Sequence, residues 1–168
     1  MALLQTERLR ISALGLGDAD FILRLVNDPD WLRFIGDRGV HDIDSACRYL
    51  REGPLAMYDR HGFGLYRVDR RSDGVAIGMC GLLLRPTLPH ADIGYALLPE
   101  HRGQGYAREA ARAVLEYGNT VLGLQPIAAI TALDNTRSIS LLQQLGLQHR
   151  GEIRLGAEDE VLGWFVQA

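Results

Sequence analysis

From Ile93 to Ala110 the chain passes from an apolar strand pattern through a glycine-rich turn into a helical pattern. The stretch reads Ile93-Gly94-Tyr95-Ala96-Leu97-Leu98-Pro99-Glu100-His101-Arg102-Gly103-Gln104-Gly105-Tyr106-Ala107-Arg108-Glu109-Ala110. It constrains the fold more than any other segment. A strand followed by a helix and then by a second strand, here Ala91 to Leu133, forms a parallel, right-handed crossover, so the sheet must be at least partly parallel. The start of the helix also carries chemistry. Its first N–H groups have no intrahelical acceptor and sit at the positive end of the helix dipole, which suits a phosphate. Glycines at 103 and 105 let a ligand approach the main chain closely. Taken alone, the same two glycines could simply make a tight turn.

Three phosphate motifs are separable here. A P-loop needs Gly-Lys followed by Ser or Thr, which is absent. A dinucleotide fingerprint needs a third small residue where Arg108 stands, and it belongs after the first strand of its unit rather than late in the chain. What fits is Arg-x-x-Gly-x-Ala, formed by Arg102, Gly105 and Ala107.

The remaining elements alternate at short spacing. Thr6 to Leu14 alternates as a strand with one buried face. Asp18 caps a helix through Val26, which Asn27-Asp28-Pro29 stops. A short helix covers Asp30 to Ile35, and Asp42 or Asp44 opens a third that Gly53-Pro54 ends. Strands Phe63–Asp69 and Val75–Leu84 form a hairpin around Asp73-Gly74. After the Ala91–Leu98 strand comes the longest helix, Arg102 to about Asn119. Pro126–Leu133 is a strand, and Asn135–Leu145 a helix closed by Gly146. Leu147–Leu155 and Val161–Val166 make a final hairpin. The expected fold is one α/β (α+β) domain over residues 1–168, with a mixed, mostly antiparallel sheet of six or seven strands and helices on both faces.

With these elements in order, Arg102-Gly103-Gln104-Gly105-Tyr106-Ala107 resembles the pyrophosphate-binding signature Q/R-x-x-G-x-G/A of the GNAT acetyltransferases. Gly94-Tyr95 with Pro99, the opening Thr6-Glu7-Arg8-Leu9-Arg10, and Asn135-x-x-Ser138-x-x-Leu141-Leu142-x-x-x-Gly146 resemble the branch that includes the ribosomal-protein N-terminal alanine acetyltransferases. The resemblance implies transfer of an acetyl group from acetyl-CoA to a primary amine. It implies that main-chain N–H groups of Arg102, Gly103, Gln104, Gly105, Tyr106 and Ala107 hold the pyrophosphate. The main chain of Ala96, Leu97 and Leu98 would bind the pantetheine arm where the strand splays from its neighbour. Asn135 would contact the cofactor or a water, although a plain N-cap explains it equally.

Many members place a tyrosine seven residues after that asparagine to protonate the departing thiolate, and here the position is Leu142. Ser138, one turn into the helix, is the candidate donor. Asp92, on the same pleat face as Gly94 and Ala96, is the candidate base; an exposed strand-end carboxylate is the plainer reading. His90 reads as a solvated turn residue, and Glu7, Glu100 and Glu109 as surface charges. The segment Asp28–Val40, with Trp31, Phe34, Asp37 and Arg38, could wall the acceptor site, Asp37 attracting an amine. Arg85 could recognise an acceptor carboxylate.

Composition narrows the alternatives. Net charge is −3 over 168 residues and the arginines are scattered, so a nucleic-acid footprint is absent. Cys47 and Cys80 match no metal spacing, so no metal is expected and both read as reduced thiols of a cytoplasmic protein. No run reaches the roughly 18 apolar residues of a membrane span, and no signal peptide is read. The final hairpin is a candidate homodimer contact, because an open sheet edge must be managed. Two readings compete with the enzyme: a non-catalytic acyl-CoA-binding module and a Rossmann-type nucleotide-binding domain.

Overall fold

The structure, a computed structural model, describes residues 2–168. Two short strands open the chain, β1 (Ala2–Gln5) and β2 (Leu9–Ala13), followed by helices α1 (Ala19–Leu25), α2 (Pro29–Phe34), α3 (Ile43–Leu50) and α4 (Ala56–His61). Strands β3 (Leu65–Arg70), β4 (Ala76–Leu83) and β5 (Asp92–Leu97) lead to α5 (Tyr106–Thr120). β6 (Ala128–Ala132), α6 (Thr136–Gln144), β7 (Leu147–Ile153) and β8 (Leu162–Gln167) complete it.

The strands form one sheet in the order β1-β2-β3-β4-β5-β6-β8-β7. Every pair is antiparallel except β5–β6. The expected architecture holds, with eight strands rather than six or seven. The additional one is β1, whose four residues pair across a bulge with Arg10–Ser12. It borrows its strand geometry from β2, so its own sequence carries little signal.

Each face of the sheet has its own core. On one, Leu9, Ile11, Val68, Ile77 and Leu82 pack with Tyr106, Ala110, Ala111, Val114 and Leu142 of α5 and α6. On the other, Met79 and Leu98 pack with Ile22, Leu25, Trp31, Ala46 and Leu50 of α1, α2 and α3. Helices therefore lie on both faces, as expected. The Gly53-Pro54 pair does not end the helical run. A π-turn over Arg51–Leu55 carries the chain from α3 into α4 with Pro54 buried inside it, so tertiary packing outweighs the proline's local preference. Among the described residues, no helix is long and apolar enough to cross a membrane.

Candidate active site

The expected helix start at Arg102 is displaced to Tyr106. After β5 the chain makes a single 3-10 turn at Pro99–His101, and then Gly103 (φ 76°) and Gly105 (φ 82°) adopt left-handed conformations that a right-handed helix cannot include. The turn gathers main-chain N–H groups into a concavity of the kind that binds anions. Among the described residues, the N–H groups of residues 103–108 have no acceptor within the chain, whereas Glu109 N–H already bonds to Gly105.

Side chains hold this turn from behind. The Arg8 guanidinium donates to the Gln104 carbonyl (2.8 Å) and to Glu109 Oε1 (2.7 Å), and lies over the Tyr106 ring at 4.4 Å. Glu109 also accepts from the Arg8 amide and from the Thr6 hydroxyl. Burial would raise the Glu109 carboxyl, but the Thr6 and Arg8 bonds outweigh it and hold it below its ordinary value. Glu109 is thus a tether between the β1–β2 turn and α5 rather than a surface charge. Arg102 lines the same cavity as the two glycines, with its guanidinium engaged by other parts of the chain. It bonds Asp28 (2.5 Å), Asp30 (2.9 Å) and the Leu97 carbonyl (2.9 Å), fastening α2 to the end of β5.

β5 and β6 share a single register pair, Asp92 with Ala128, and part beyond it. Adjacent residues of a strand turn their main-chain groups to opposite edges. Ala91 accepts from Ala128 of β6, while Leu98 donates to Ile77 on the β4 side. By that alternation Ile93, Tyr95 and Leu97 present main-chain groups to the gap, and Ala96 and Leu98 present theirs to β4. Of the three residues expected to pair with a pantetheine arm, only Leu97 has the right aim. Leu98 is core, with its N–H given to Ile77 and its carbonyl to His101. Ala96 lines the gap while its main-chain groups are turned to β4.

Two cavities meet at this gap. The first runs past Leu97, Gly103, Gly105, Ala107, Asn135 and Ser138. The second, about 430 Å³, lies between Trp31, Phe34 and Arg38 on one side and Leu155, Asp159 and Glu160 of the β7–β8 connection on the other. Tyr95, Ala96 and Thr131 line both. Asp92 lies on the second cavity and is 1% exposed, so the exposed-carboxylate reading is overturned. Burial raises its carboxyl above the ordinary value, partly opposed by Arg85, whose Nε donates at 3.1 Å. Arg85 is engaged with Asp92 rather than held free for an acceptor carboxylate. Asp37 lines neither cavity; it accepts from Gly39 N–H in a turn. His90 stacks on Trp164 at 6.4 Å.

Asn135 caps α6, its Oδ1 accepting from Ser138 N–H at 3.2 Å. Ser138 Oγ lies 2.9 Å from the Tyr95 hydroxyl. Leu142 follows one helical turn later and is 1% exposed. Burial pushes the Tyr95 phenol up to about 12, the Ser138 bond partly opposing it.

A glycine turn with unpaired N–H groups, at the end of a strand that parts from its parallel neighbour, is what the opening motif calls for. Comparison with known proteins agrees: the family description "Acetyltransferase (GNAT) domain" matches residues 8–148. The chain belongs to the GNAT acetyltransferase family. It is similar to an uncharacterized N-acetyltransferase, p20, of Bacillus licheniformis (31% identical over 155 residues, 92% of this chain and 86% of the relative). It is also similar to the spermidine N(1)-acetyltransferase of Vibrio cholerae (30% over 153 residues, 88% and 83% of the two chains). The fold matches the crystal structure of a ribosomal-protein-S5-alanine acetyltransferase from Vibrio fischeri at TM-score 0.78, with 18% identity, covering 98% of this chain and 94% of that one.

As a GNAT member the chain is an acetyl-CoA-dependent acetyltransferase. The structure brings most residues singled out from the sequence together: Ala96, Leu97, Arg102, Gly103, Gly105, Tyr106, Ala107, Asn135 and Ser138 line one cavity, and Asp92 the adjoining one. Gln104 does not line it and contributes a carbonyl to Arg8 instead. Sequence reasoning gave no role to Arg8, Tyr95 or Thr131. Arg8 and Tyr95 lay inside quoted motifs, yet their contacts to Glu109 and Ser138 span 101 and 43 positions, which no local pattern signals.

Proposed function

We propose that this chain transfers the acetyl group of acetyl-CoA to a primary amine, either a protein N-terminus or a small metabolite, by direct attack of the amine on the thioester. The observation that carries the proposal is the row of unpaired N–H groups at 103–108 beside the opened β5–β6 gap. Those N–H groups hold the pyrophosphate, and Gly103 and Gly105 leave room for it. The pantetheine arm lies along the gap, bonded by Tyr95 main-chain groups and reached by Asn135. The thioester supplies an activated acyl carbon and a leaving group that departs far more readily than an alkoxide.

The acceptor amine enters from the cavity walled by Trp31 and Phe34. Asp92, buried yet facing that cavity, takes the amine proton directly or through water, and burial makes it a stronger base than an ordinary carboxylate. Leu97 N–H, turned toward the gap, stabilises the tetrahedral oxyanion. Ser138 gives the leaving sulfur its proton, in the absence of a tyrosine at 142. The polyamine named as substrate of the Vibrio cholerae relative makes small primary amines the first acceptors to try.

The test is calorimetric titration with acetyl-CoA of the wild type and of Gly105→Glu, with folding followed by circular dichroism, then turnover on a panel of polyamines, amino acids and peptide N-termini. Micromolar binding lost in a folded Gly105→Glu, with turnover on one amine class, supports the proposal. Binding without turnover on any amine favours the acyl-CoA-binding module instead. No binding by the wild type ends the acetyltransferase reading.

A further inference from the structure

Two hydroxyl groups from distant parts of the chain meet where the two cavities join. The Tyr95 phenol projects from β5 onto α6 and lies 2.9 Å from Ser138 Oγ and 3.3 Å from the Ser138 carbonyl. Tyr95 lines both cavities. Residues 138 and 142 stand one turn apart on one face of α6. The phenol therefore reaches, from the strand side, the helix face on which the family's usual acid would have stood, while Leu142 at that position is packed into the core.

A serine hydroxyl alone is a poor acid, and its proton must be replaced as it leaves. The Tyr95 phenol, even pushed up to about 12 by burial, is more acidic than a hydroxyl of the water type at about 15.7. We propose that Tyr95 is the positioning residue and proton source for Ser138, the two forming a relay that protonates the departing CoA thiolate. This rests on the acetyl-transfer reading above. In the step, the amine nitrogen bonds to the acyl carbon and its proton passes to Asp92 or water. The C–S bond breaks with its electron pair on sulfur. Sulfur takes the Ser138 proton while Ser138 takes the Tyr95 proton, and the phenolate left behind recovers a proton from water through the open cavity. The buried setting that raises the phenol disfavours the phenolate, which drives this recovery before the next cycle.

Neither neighbour offers a competing source. Asp92 lies three residues back, so its side chain points to the opposite pleat face, and Cys80 is fully buried with its thiol pushed up by burial. The hydrogen bond also explains a half-buried tyrosine in a strand whose adjacent positions are Gly94 and Ala96.

The experiment measures kcat, the KM of each substrate and acetyl-CoA affinity for Tyr95→Phe, Ser138→Ala, Ser138→Thr and the double variant Tyr95→Phe/Ser138→Ala. Phenylalanine keeps the ring and removes only the hydroxyl. The expected result is a kcat reduced at least tenfold in Tyr95→Phe and in Ser138→Ala, with KM and affinity within twofold of wild type. Ser138→Thr, which keeps a hydroxyl, recovers most of the rate, and the double variant is no slower than the slower single one. An unchanged kcat in Tyr95→Phe, with the wild type active, overturns the relay and leaves the acetyltransferase reading standing. Multiplicative losses in the double variant overturn it as well, because groups in one relay do not act independently. A Tyr95→Phe defect confined to KM or affinity assigns the phenol to packing. A wild type that acetylates no amine fails the underlying reading itself.

Discussion

Replacing Arg102 by Ala should cost stability far more than it costs cofactor affinity, although Arg102 heads the phosphate signature. Its guanidinium makes three bonds, to Asp28, Asp30 and the Leu97 carbonyl, and none to the N–H concavity. The pair with Asp30, whose side chain is 42% exposed, adds at most about 1 kcal/mol. Asp28 is different, because its side chain is 5% exposed and loses its charged partner. Removing one member of a buried pair costs about 3–5 kcal/mol. With Arg102 itself 23% exposed, water can enter the space it leaves, so the lower end of that range, about 3 kcal/mol, applies. For a chain of this length that lowers the melting temperature by about 6–12 °C.

Lysine at 102 should recover about half of that loss, since one ammonium cannot span the three acceptors a planar fork reaches. Thermal unfolding by circular dichroism gives the first quantity, and calorimetric titration with acetyl-CoA below the melting temperature gives the second. The affinity of Arg102→Ala should weaken less than about fivefold, because the concavity is built from main-chain groups that the substitution leaves in place. A melting temperature within about 2 °C of wild type together with a more than tenfold loss of affinity would refute this reasoning. It would mean that the guanidinium leaves Asp28 to contact the phosphates.

Two other expectations concern β5 and its neighbour β4. Asp92→Asn should reduce kcat by about a hundredfold while leaving the protein as stable as wild type or more so at neutral pH. A carboxyl raised on folding favours the folded state below its unfolded value, near 3.8, and that contribution is lost as pH rises through the raised value. The stability advantage of the asparagine variant should therefore grow with pH across that window; an advantage that shrinks with rising pH would contradict the burial argument. Wild-type kcat/KM should likewise fall as pH drops through the raised value, a limb missing in Asp92→Asn. Gly78→Ala is expected to cost about 3 kcal/mol, since its added carbon would lie 2.2 Å from the Ala96 carbonyl oxygen and 3.0 Å from Leu97 Cα, main-chain atoms that cannot move aside alone. Acetyl-CoA affinity should drop with it, because Leu97 shifts too. An alanine variant with unchanged melting temperature and affinity would show β4 and β5 to be more compliant than this spacing allows.

Local chemistry in the sequence determined a good deal. The two left-handed glycines, the strand before them and the apolar stripe of α5 define the strand–turn–helix unit without help from the rest of the chain. Asn135 and Gly146 bracket α6, and Asp73-Gly74 turns β3 into β4, because caps and turns are satisfied by residues a few positions away. The family resemblance rested on these same short stretches.

What remained hidden depended on residues distant in sequence. β1 exists because β2 offers it a ladder. The helical run survives Pro54 because packing repays a local cost. Asp92 looked like a strand-end carboxylate until β4 and β6 closed on either side of it. The glycine turn and its row of unpaired N–H groups were legible from the sequence alone, since those donors belong to consecutive main-chain groups. The neighbours of Arg102, Asp92 and Tyr95 were decided only by the tertiary structure. Asp28 and Ser138 lie 74 and 43 positions from their partners, and only the packed sheet and helices bring those side chains within bonding distance.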